Sequence, residues 1–153
     1  MTAYGAAKAA AETAVKGITP GAVIARASLI IGDGDSQHER LVHALAAGAG
    51  RGARFTDEVR CPVAAIDLAS ALLELAASPD AGVSHVAGAD AISRYELGRL
   101  IAARDGLDPA ALPAGLRAAT DLPGAPNVRL DSSRTQARLA TRLRGAREFL
   151  ARS

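Results

Sequence analysis

The sequence predicts an α/β protein, because segments with helical spacing alternate with short apolar runs typical of strands. Residues 22–31 form a β-branched run between turn residues, which predicts a buried strand. Residues 38–47 instead place their apolar side chains at helical spacing, at Leu41, Val42, Leu45 and Ala46. The chain has 153 residues, 49% of them hydrophobic. It is long enough for a sizeable core, and no linker divides it, so residues 1–153 are expected to form one domain-sized unit.

The first half of the chain predicts three helices and two extended segments. A helix is expected over residues 3–15, ended by Gly17 and Pro20, and the strand at 22–31 follows it. A second helix is expected at 38–47, followed by a polar loop at 49–59 and a short extended segment at 60–63. Asp67 is the predicted N-cap of a third helix over residues 68–77.

The second half continues the alternation and then becomes irregular. Residues 82–87 predict a short strand, and the Ser93-x-x-Glu96 pattern is a capping box that begins a helix through about residue 104. Residues 107–127 hold most of the prolines and predict an irregular segment with one short helix. Asp131 or Ser132 is expected to cap a final helical region, interrupted near Gly145.

The beginning of the chain carries the strongest chemical motif. Tyr4 and Lys8 lie four residues apart, so a helix places the phenol and the ammonium on one face, and Glu12 is expected to reach Lys8. A nearby cation favours the phenolate form, which makes Tyr4 a candidate general acid or base. A solvated pair on an alanine-rich helix is the alternative. Lys8 and Lys16 are the only lysines among mostly arginine basic residues, which favours the chemical interpretation.

Four sequence blocks identify a family resemblance. They are, in chain order, YGAAKAAAE, AVIARASLIIGDG, RCPVAAIDLA and GVSHVAG. In order and spacing they resemble the second half of the extended short-chain dehydrogenases/reductases, and are most similar to the dTDP-4-dehydrorhamnose reductase group of sugar-nucleotide reductases. The resemblance covers essentially the whole chain. It implies an incomplete Rossmann-type sheet with a small α/β substrate-binding lobe.

The same resemblance implies roles for five residues. Tyr4 is expected to donate the proton to a substrate carbonyl, and Lys8 to hold the nicotinamide ribose and favour the phenolate. Ser28 falls where the family's main chain meets the nicotinamide amide and the substrate. Arg60 and Pro62 fall in the stretch that forms the sugar-nucleotide pocket, where Arg60 can pair with a phosphate. Asp57 and Glu58 share that stretch, and a solvated loop is the alternative for all four.

The implied cofactor is NADP or NAD, and the implied substrate is a 4-keto-6-deoxy sugar nucleotide. No G-x-G-x-x-G turn follows a strand in this sequence. We therefore expect the dinucleotide-binding half to lie before residue 1 and the chain to be inactive alone, and we expect an exposed apolar sheet edge. Its expected protein partner is a second copy in a homodimer or a separate N-terminal half.

Two other functions stay open. An NAD-dependent epimerase or dehydratase of the same superfamily would share the Tyr/Lys pair, and an epimerase would return hydride to its substrate without net NAD(P)H consumption. A non-catalytic reductase-like binding or regulatory subunit would bind a partner and tolerate Tyr4→Phe.

Composition disfavours several other classes. The net charge of +2 comes from scattered arginines without interleaved aromatic residues, so no nucleic acid is expected as a partner. No apolar run reaches the roughly 18 residues of a membrane span, so no membrane association is expected. The histidines have no metal-ligand spacing, so no metal is expected. The sequence contains no G-x-S-x-G elbow, which disfavours a hydrolase. Cys61 is the only cysteine, which fits a reducing cytoplasm.

Overall fold

The computed structural model describes residues 2–151 and has alternating helices and strands, as the sequence predicts. The strands pair in twos, forming four small sheets within these residues. The helices are α1 Ala3–Ile18, α2 Gln37–Ala46, α3 Ala65–Ala77, α4 Arg94–Arg104, α5 Ser133–Gln136 and α6 Ala146–Phe149. The strands are β1 Val23–Ala27, β2 Ile30–Ile31, β3 Arg54–Phe55, β4 Val59–Arg60, β5 Val63–Ala64, β6 Gly82–Val86, β7 Ile92–Ser93 and β8 Ala114–Gly115.

Two parallel strand pairs form the Rossmann-like part of the molecule. β1 pairs with β6 in register from Val23 opposite Gly82 to Ala27 opposite Val86, and β2 pairs with β5. α3 lies between β5 and β6 in the chain and packs against β1 and β5. Because β1 and β6 are parallel, their carboxyl ends lie at the same edge. Within residues 2–151, β1 pairs with no other strand.

The single strand predicted at residues 22–31 is divided in the structure. β1 ends at Ala27 and β2 begins at Ile30, because the chain leaves β6 and moves to a second partner, β5. Continuous apolar character cannot distinguish one strand from two strands in different pairs. Ser28 and Leu29 form the junction between them.

The smaller lobe combines two further strand pairs with two helices. β3 and β8 are parallel, whereas β4 and β7 are antiparallel. α2 packs against α4, and α4 packs against β3 and β7. The sequence prediction missed β3, β7 and β8 as strands and included only the second residue of β4, in the extended segment expected at 60–63, because a strand of two residues shows no periodicity. The predicted irregular segment at 107–127 contains two short 3₁₀ turns, Pro109–Ala111 and Arg117–Ala119, rather than one helix.

Two hydrophobic clusters stabilise these parts. The lobe cluster packs α2, α4 and α6 together, and its buried members are Ile31, Val42, Leu45, Ile92, Leu97, Ile101, Ala102, Leu112, Ala146 and Leu150. The sheet cluster lies between α3 and the parallel strands, and its buried members are Val63, Leu68, Ala71, Leu75, Val86 and Leu143. Aliphatic side chains of modest size fill both clusters, as the low aromatic content requires.

Helix beginnings show where capping predictions succeed and fail. Ser93 accepts a hydrogen bond from the Glu96 backbone N–H at 3.0 Å, which confirms the predicted start of α4. The prediction that Asp67 caps α3 is wrong, because that helix begins at Ala65 and Asp67 lies within its first turn. The final helical region is interrupted over a longer stretch than the break expected near Gly145, because α5 ends at Gln136 and α6 begins only after Gly145.

The first helix is the least covered element of the molecule. α1 begins after Thr2, whose hydroxyl accepts a hydrogen bond from the Gly5 backbone N–H at 3.1 Å. None of its residues is buried by the part of the chain that the structure describes. None of the helices in residues 2–151 has both the length and the hydropathy that crossing a membrane requires.

Candidate functional site

Tyr4 and Lys8 lie one turn apart on the exposed α1, as the helical spacing predicts. The Lys8 Nζ atom is 5.8 Å from the centroid of the Tyr4 ring, which is within cation–π range. Tyr4 is 74% exposed, so its hydroxyl is accessible to a ligand. This face of α1 therefore presents a phenol and an ammonium together to solvent.

Glu12 does not pair with Lys8, contrary to the sequence prediction. Its carboxylate accepts hydrogen bonds from Arg26 Nε at 2.8 Å and Arg26 Nη2 at 2.6 Å, so the helix is tied to β1. The hydrogen bond from Arg26 lowers the pKa of Glu12. Arg26 thus ties α1 to β1, and Lys8 is not held by that carboxylate.

Ser28 lies just beyond the carboxyl end of β1. Its Oγ atom accepts a hydrogen bond from the Cys61 backbone N–H at 3.3 Å, which joins the β1–β2 junction to the segment before β5. In open α/β sheets, ligands bind outside the carboxyl ends of the strands. The structure therefore places Ser28 at the sheet edge where such a ligand is expected.

Arg60 is held by its own neighbourhood. Its guanidinium donates to the carbonyl oxygens of Val59 at 2.8 Å, Pro126 at 2.9 Å and Ala125 at 3.1 Å. It also forms an ion pair with Glu58 at 2.9 Å, and its side chain is 21% exposed. These contacts fix the guanidinium beside residues 125 and 126.

Pro62 is enclosed, and its backbone lies against the end of β6. It is among the fully buried side chains, and its carbonyl oxygen faces Gly88 so closely that a Cβ atom on residue 88 would overlap it. Pro62 thus contributes to packing between the segment before β5 and the segment after β6.

The loop at residues 122–124 lies between the start of α1 and the smaller lobe. Arg117 donates hydrogen bonds to the carbonyl oxygens of Leu122, Pro123 and Gly124. A Cβ atom on Gly124 would lie 3.9 Å from Thr2 Cγ2, so the loop reaches the residue that caps α1. Because Arg60 binds the next two carbonyl groups, one loop links the surroundings of Tyr4 with those of Arg60.

Asp57 organises the same lobe through backbone contacts. Its carboxylate accepts hydrogen bonds from the backbone N–H groups of Ala118, at 2.9 Å, and Arg117. Those two contacts lower the pKa of Asp57. Asp57 is therefore bound to the 3₁₀ turn and is not simply solvated.

A cleft of about 390 Å³ opens at the carboxyl end of β6. Its lining includes Cys61, Gly88, Arg129, Asp131 and Ser132. The Ser132 hydroxyl accepts a hydrogen bond from the Ala87 backbone N–H at 3.0 Å, which fixes one wall. The five residues predicted for the site are not part of this lining, although Cys61 lies between two of them in the chain.

The histidines are separate from one another. His38 is half-buried, and burial together with the nearby Arg94 lowers its pKa to about 4. His43 lies 2.7 Å from an Asp105 oxygen, and His85 contacts a backbone carbonyl oxygen. Among the described residues, no group of three or more His, Cys, Asp or Glu side chains can hold a metal ion.

Besides Arg117, sequence reasoning missed two buried charged residues in the lobe. Glu39 is completely buried, and Arg54 is 4% exposed although the prediction placed it in a polar loop. The Ser36-x-x-Glu39 pattern is a capping box that the structure contains, so the first of these was detectable in the sequence. Nothing in the glycine-rich residues around Arg54 indicated its burial.

Comparison with known proteins identifies the family. A family model described as the RmlD substrate binding domain matches residues 1–153. No curated protein sequence matches the chain. Among solved structures, dTDP-4-dehydrorhamnose reductase from Bacillus anthracis, in complex with NADP, aligns with a TM-score of 0.80 and 17% identity over 96% of this chain and 53% of that one.

Two further structures are similar. A hypothetical dTDP-4-dehydrorhamnose reductase from Sulfolobus tokodaii has a TM-score of 0.64 and 29% identity, covering 81% of this chain and 44% of that chain. DesIV, a dTDP-glucose 4,6-dehydratase from Streptomyces venezuelae with NAD bound, has a TM-score of 0.65 and 21% identity, covering 92% and 46%. The chain therefore spans about half the length of these structures.

These comparisons confirm the resemblance and the predicted fold class. The fold is α/β with parallel strands, similar to the Rossmann-type extended short-chain dehydrogenases/reductases. The family model covers residues 1–153, which is every position of the sequence. This chain belongs to the RmlD substrate binding domain family.

Proposed function

We propose that this chain forms the substrate-binding part of an NAD(P)H-dependent reductase of 4-keto-6-deoxy sugar nucleotides. The observation that carries the proposal is the Tyr4–Lys8 pair on an exposed helix face, in a chain that belongs to the RmlD substrate binding domain family. Similar structures are a dTDP-4-dehydrorhamnose reductase with NADP and a dehydratase with NAD. NADP or NAD is accordingly the proposed cofactor.

Tyr4 is the proposed proton donor. Its exposed hydroxyl is accessible to a carbonyl oxygen of a bound substrate, and donation leaves a phenolate on the ring beside Lys8. The Lys8 ammonium, 5.8 Å from the ring centroid, is the proposed donor of hydrogen bonds to ribose hydroxyls. When bound, NAD(P)H supplies the hydride that reduces the carbonyl carbon.

The remaining predicted residues take supporting roles in the proposal. Ser28, at the carboxyl end of β1, lies at the sheet edge suited to the nicotinamide amide and the sugar. Arg60 provides positive charge next to the loop that reaches α1, which suits a nucleotide phosphate. Pro62 is proposed to shape the sugar-nucleotide pocket by packing against Gly88, without direct contact with the substrate.

Thermal unfolding of the 153-residue chain with and without ligands tests the binding assignment. We expect a cooperative transition that a dTDP-sugar moves upward, because a ligand that binds only the folded state stabilises it. NADPH alone is expected to produce the smaller shift, since the sequence has no glycine-rich dinucleotide turn. A melting temperature that no dTDP-sugar changes at millimolar concentration would contradict the proposal.

In any preparation of the protein that oxidises NADPH, the number of NADPH molecules consumed per sugar converted distinguishes a reductase from an epimerase. A reductase consumes one NADPH for each sugar reduced, whereas an epimerase changes the sugar without net consumption. Tyr4→Phe is expected to lower the rate by about 10²–10⁴-fold, the usual contribution of a general acid. Binding of the dTDP-sugar should persist in this variant. A rate that Tyr4→Phe leaves unchanged would remove Tyr4 from the mechanism.

A further inference from the structure

Arg54 is a buried cation without the contacts that such a group normally has. It lies in β3 and is 4% exposed, and its Nε and Nη2 atoms have no hydrogen-bond partner among residues 2–151. Leaving a buried charged donor unpaired is strongly unfavourable. Its aliphatic part packs beside Gly98, where a Cβ atom would lie 3.4 Å from Arg54 Cγ, so the stem is well packed while the charged end is unsatisfied.

The charged groups around Arg54 do not neutralise it. Burial lowers the pKa of Arg54 to about 10, and the nearby cation Arg94, whose side chain is 17% exposed, contributes to that shift. Glu58 is the acid nearby, but it already pairs with Arg60 at 2.9 Å and lies 3.8 Å from Arg94. Arg54 therefore stays protonated at neutral pH in surroundings with an excess of positive charge.

An open cavity of about 320 Å³ lies next to these groups. Arg54, Arg94, Arg117 and Glu58 contribute to its lining, so three guanidinium groups face a single carboxylate there. Arg117 is occupied by Thr120 and by the loop carbonyl groups described above. Pro123 of that loop forms another part of the wall, which places the cavity one loop away from the start of α1.

We propose that this cavity binds an oxyanion, a phosphate or carboxylate group, through the paired Nε–H and Nη2–H donors of Arg54. These two donors form the side of the guanidinium that matches two oxygens of one anion, and bidentate pairs of this kind are among the strongest polar contacts. Both nitrogens are enclosed in the structure, so binding includes a rotation of Arg54 toward the cavity that it lines. Arg94 provides the second positive charge, and Glu58 restricts the anion to the Arg54 side.

The oxyanion has two possible sources, a free anion or the phosphate of a nucleotide. The assignment of Arg54 as its ligand stands on the structure of the cavity, whereas a nucleotide phosphate as its source rests on the proposed function. Inorganic phosphate, dTDP and thymidine are therefore the three probes, used in chloride buffer of matched ionic strength. Thymidine has the base and sugar of dTDP without an anion.

The experiment compares melting temperatures of the 153-residue chain, Arg54→Met and Arg51→Met. Arg51 is an exposed arginine in the same stretch and serves as the matched control. For the unsubstituted chain, an anion at about 100 times its Kd is expected to raise the melting temperature by about 5–10 °C. Arg54→Met should melt higher than the unsubstituted chain in phosphate-free buffer, because a buried unpaired charge is removed. It should also lose the anion-dependent rise, while Arg51→Met keeps it.

The outcomes separate the two sources from failure of the proposal. A rise with phosphate and dTDP supports a free-oxyanion site, and a rise with dTDP but neither phosphate nor thymidine supports a nucleotide phosphate. The proposal is overturned if no anion acts, if Arg54→Met retains the full rise, or if thymidine matches dTDP. Should Arg54→Met fail to fold, Arg54→Lys keeps the charge without the paired donors, and phosphate affinity by calorimetry should fall at least about tenfold. If Arg54→Met keeps the full response to every anion while a dTDP-sugar still binds the chain, this inference is overturned and the proposed function stays intact.

Discussion

Glu39 shows how a single buried carboxylate organises the junction between the sheet and the smaller lobe. Its oxygens accept hydrogen bonds from the backbone N–H groups of Gly32 at 3.3 Å, Gly34 at 2.9 Å and Ser36 at 3.0 Å. Arg104 adds an ion pair at 2.7 Å. Burial alone would raise its pKa, but the hydrogen bonds from Ser36 and Arg104 outweigh that effect and lower the pKa to about 2.

Glu39→Gln is expected to destabilise the fold by about 2–4 kcal/mol at neutral pH, because an amide cannot accept all four hydrogen bonds and Arg104 loses one of its two charged partners, keeping only Asp105. The carboxylate's pKa is lower in the folded chain than in the unfolded chain, so its stabilisation is present above pH 4.5 and is lost as the pH falls toward 2. Urea unfolding between pH 4.5 and pH 2 should show that the free energy of unfolding falls less with pH in Glu39→Gln than in the unsubstituted chain. Glu148→Gln, at an exposed pair, is the control and should cost less than about 0.5 kcal/mol.

Gly88 is a residue whose identity follows from close packing. A Cβ atom there would overlap the Pro62 carbonyl oxygen and lie 2.8 Å from the Arg144 carbonyl oxygen, both of them backbone atoms. Gly88→Ala is expected to cost about 1–3 kcal/mol or more, measured by denaturant unfolding. Gly17→Ala is the matched control, because nothing lies within 4 Å of its added methyl group and alanine favours a helix. Equal stability of the two variants would contradict the packing described at Gly88.

At the scale of elements, the buried acid Asp67 links α3 to the C-terminal segment. Asp67, 7% exposed, accepts hydrogen bonds from the Arg144 backbone N–H at 3.2 Å and from its guanidinium at 2.8 Å and 3.0 Å. The acid that the sequence suggested as a cap therefore ties the helix to the residues just before α6. Its partner is part-exposed, which reduces the energy of the pair.

Asp67→Asn is expected to destabilise the chain by about 1–2 kcal/mol, because the amide loses the charge-assisted part of these contacts. Local opening of the C-terminal segment should also increase, so trypsin should cut after Arg142 and Arg144 faster than in the unsubstituted chain. Asp35→Asn is the control, since that side chain is 97% exposed, and it should change neither quantity. Unchanged trypsin cleavage in Asp67→Asn would mean that the segment is held by other contacts.

At the scale of the whole molecule, the two hydrophobic clusters are expected to contribute independently. Ile101→Val in the lobe cluster should cost about 0.5–1.5 kcal/mol, and Leu75→Ala in the sheet cluster about 2–4 kcal/mol. Substitutions without shared partners usually add to within about 0.5 kcal/mol. Denaturant unfolding of both single variants and the double variant checks this sum. A larger departure would show that the clusters act as one core.

The accuracy of the sequence predictions followed the length of the elements. α1 and β6 were predicted close to their observed bounds, because each gives a sustained pattern or clear stop signals. β3 and β8 were missed because each has two residues and is defined by its partner rather than by its own side chains. The Tyr4–Lys8 geometry followed from helical spacing alone.

Long-range contacts explain the features that the sequence could not predict. The partner of Glu12 is fourteen residues away at Arg26, and that of Asp67 lies in the C-terminal segment, and no local spacing rule indicates such pairs. Local spacing rules therefore placed an acid at the start of α3 but not the contact that it makes. The burial of Arg54 depends on α4 and the loop at residues 122–124, which only the folded structure brings together.

The exposure of α1 has a consequence for hydrogen exchange of its backbone amides. α4 buries Leu97, Gly98, Ile101 and Ala102, so its amides open only with the core, whereas α1 buries no residue among those described. Amide deuteration should therefore be rapid in α1 and slow in α4 of the same molecule. Any molecule that covers the Tyr4 face would slow deuteration of α1 while α4 stays unchanged, so the helix that carries the proposed proton donor also reports its own occupancy.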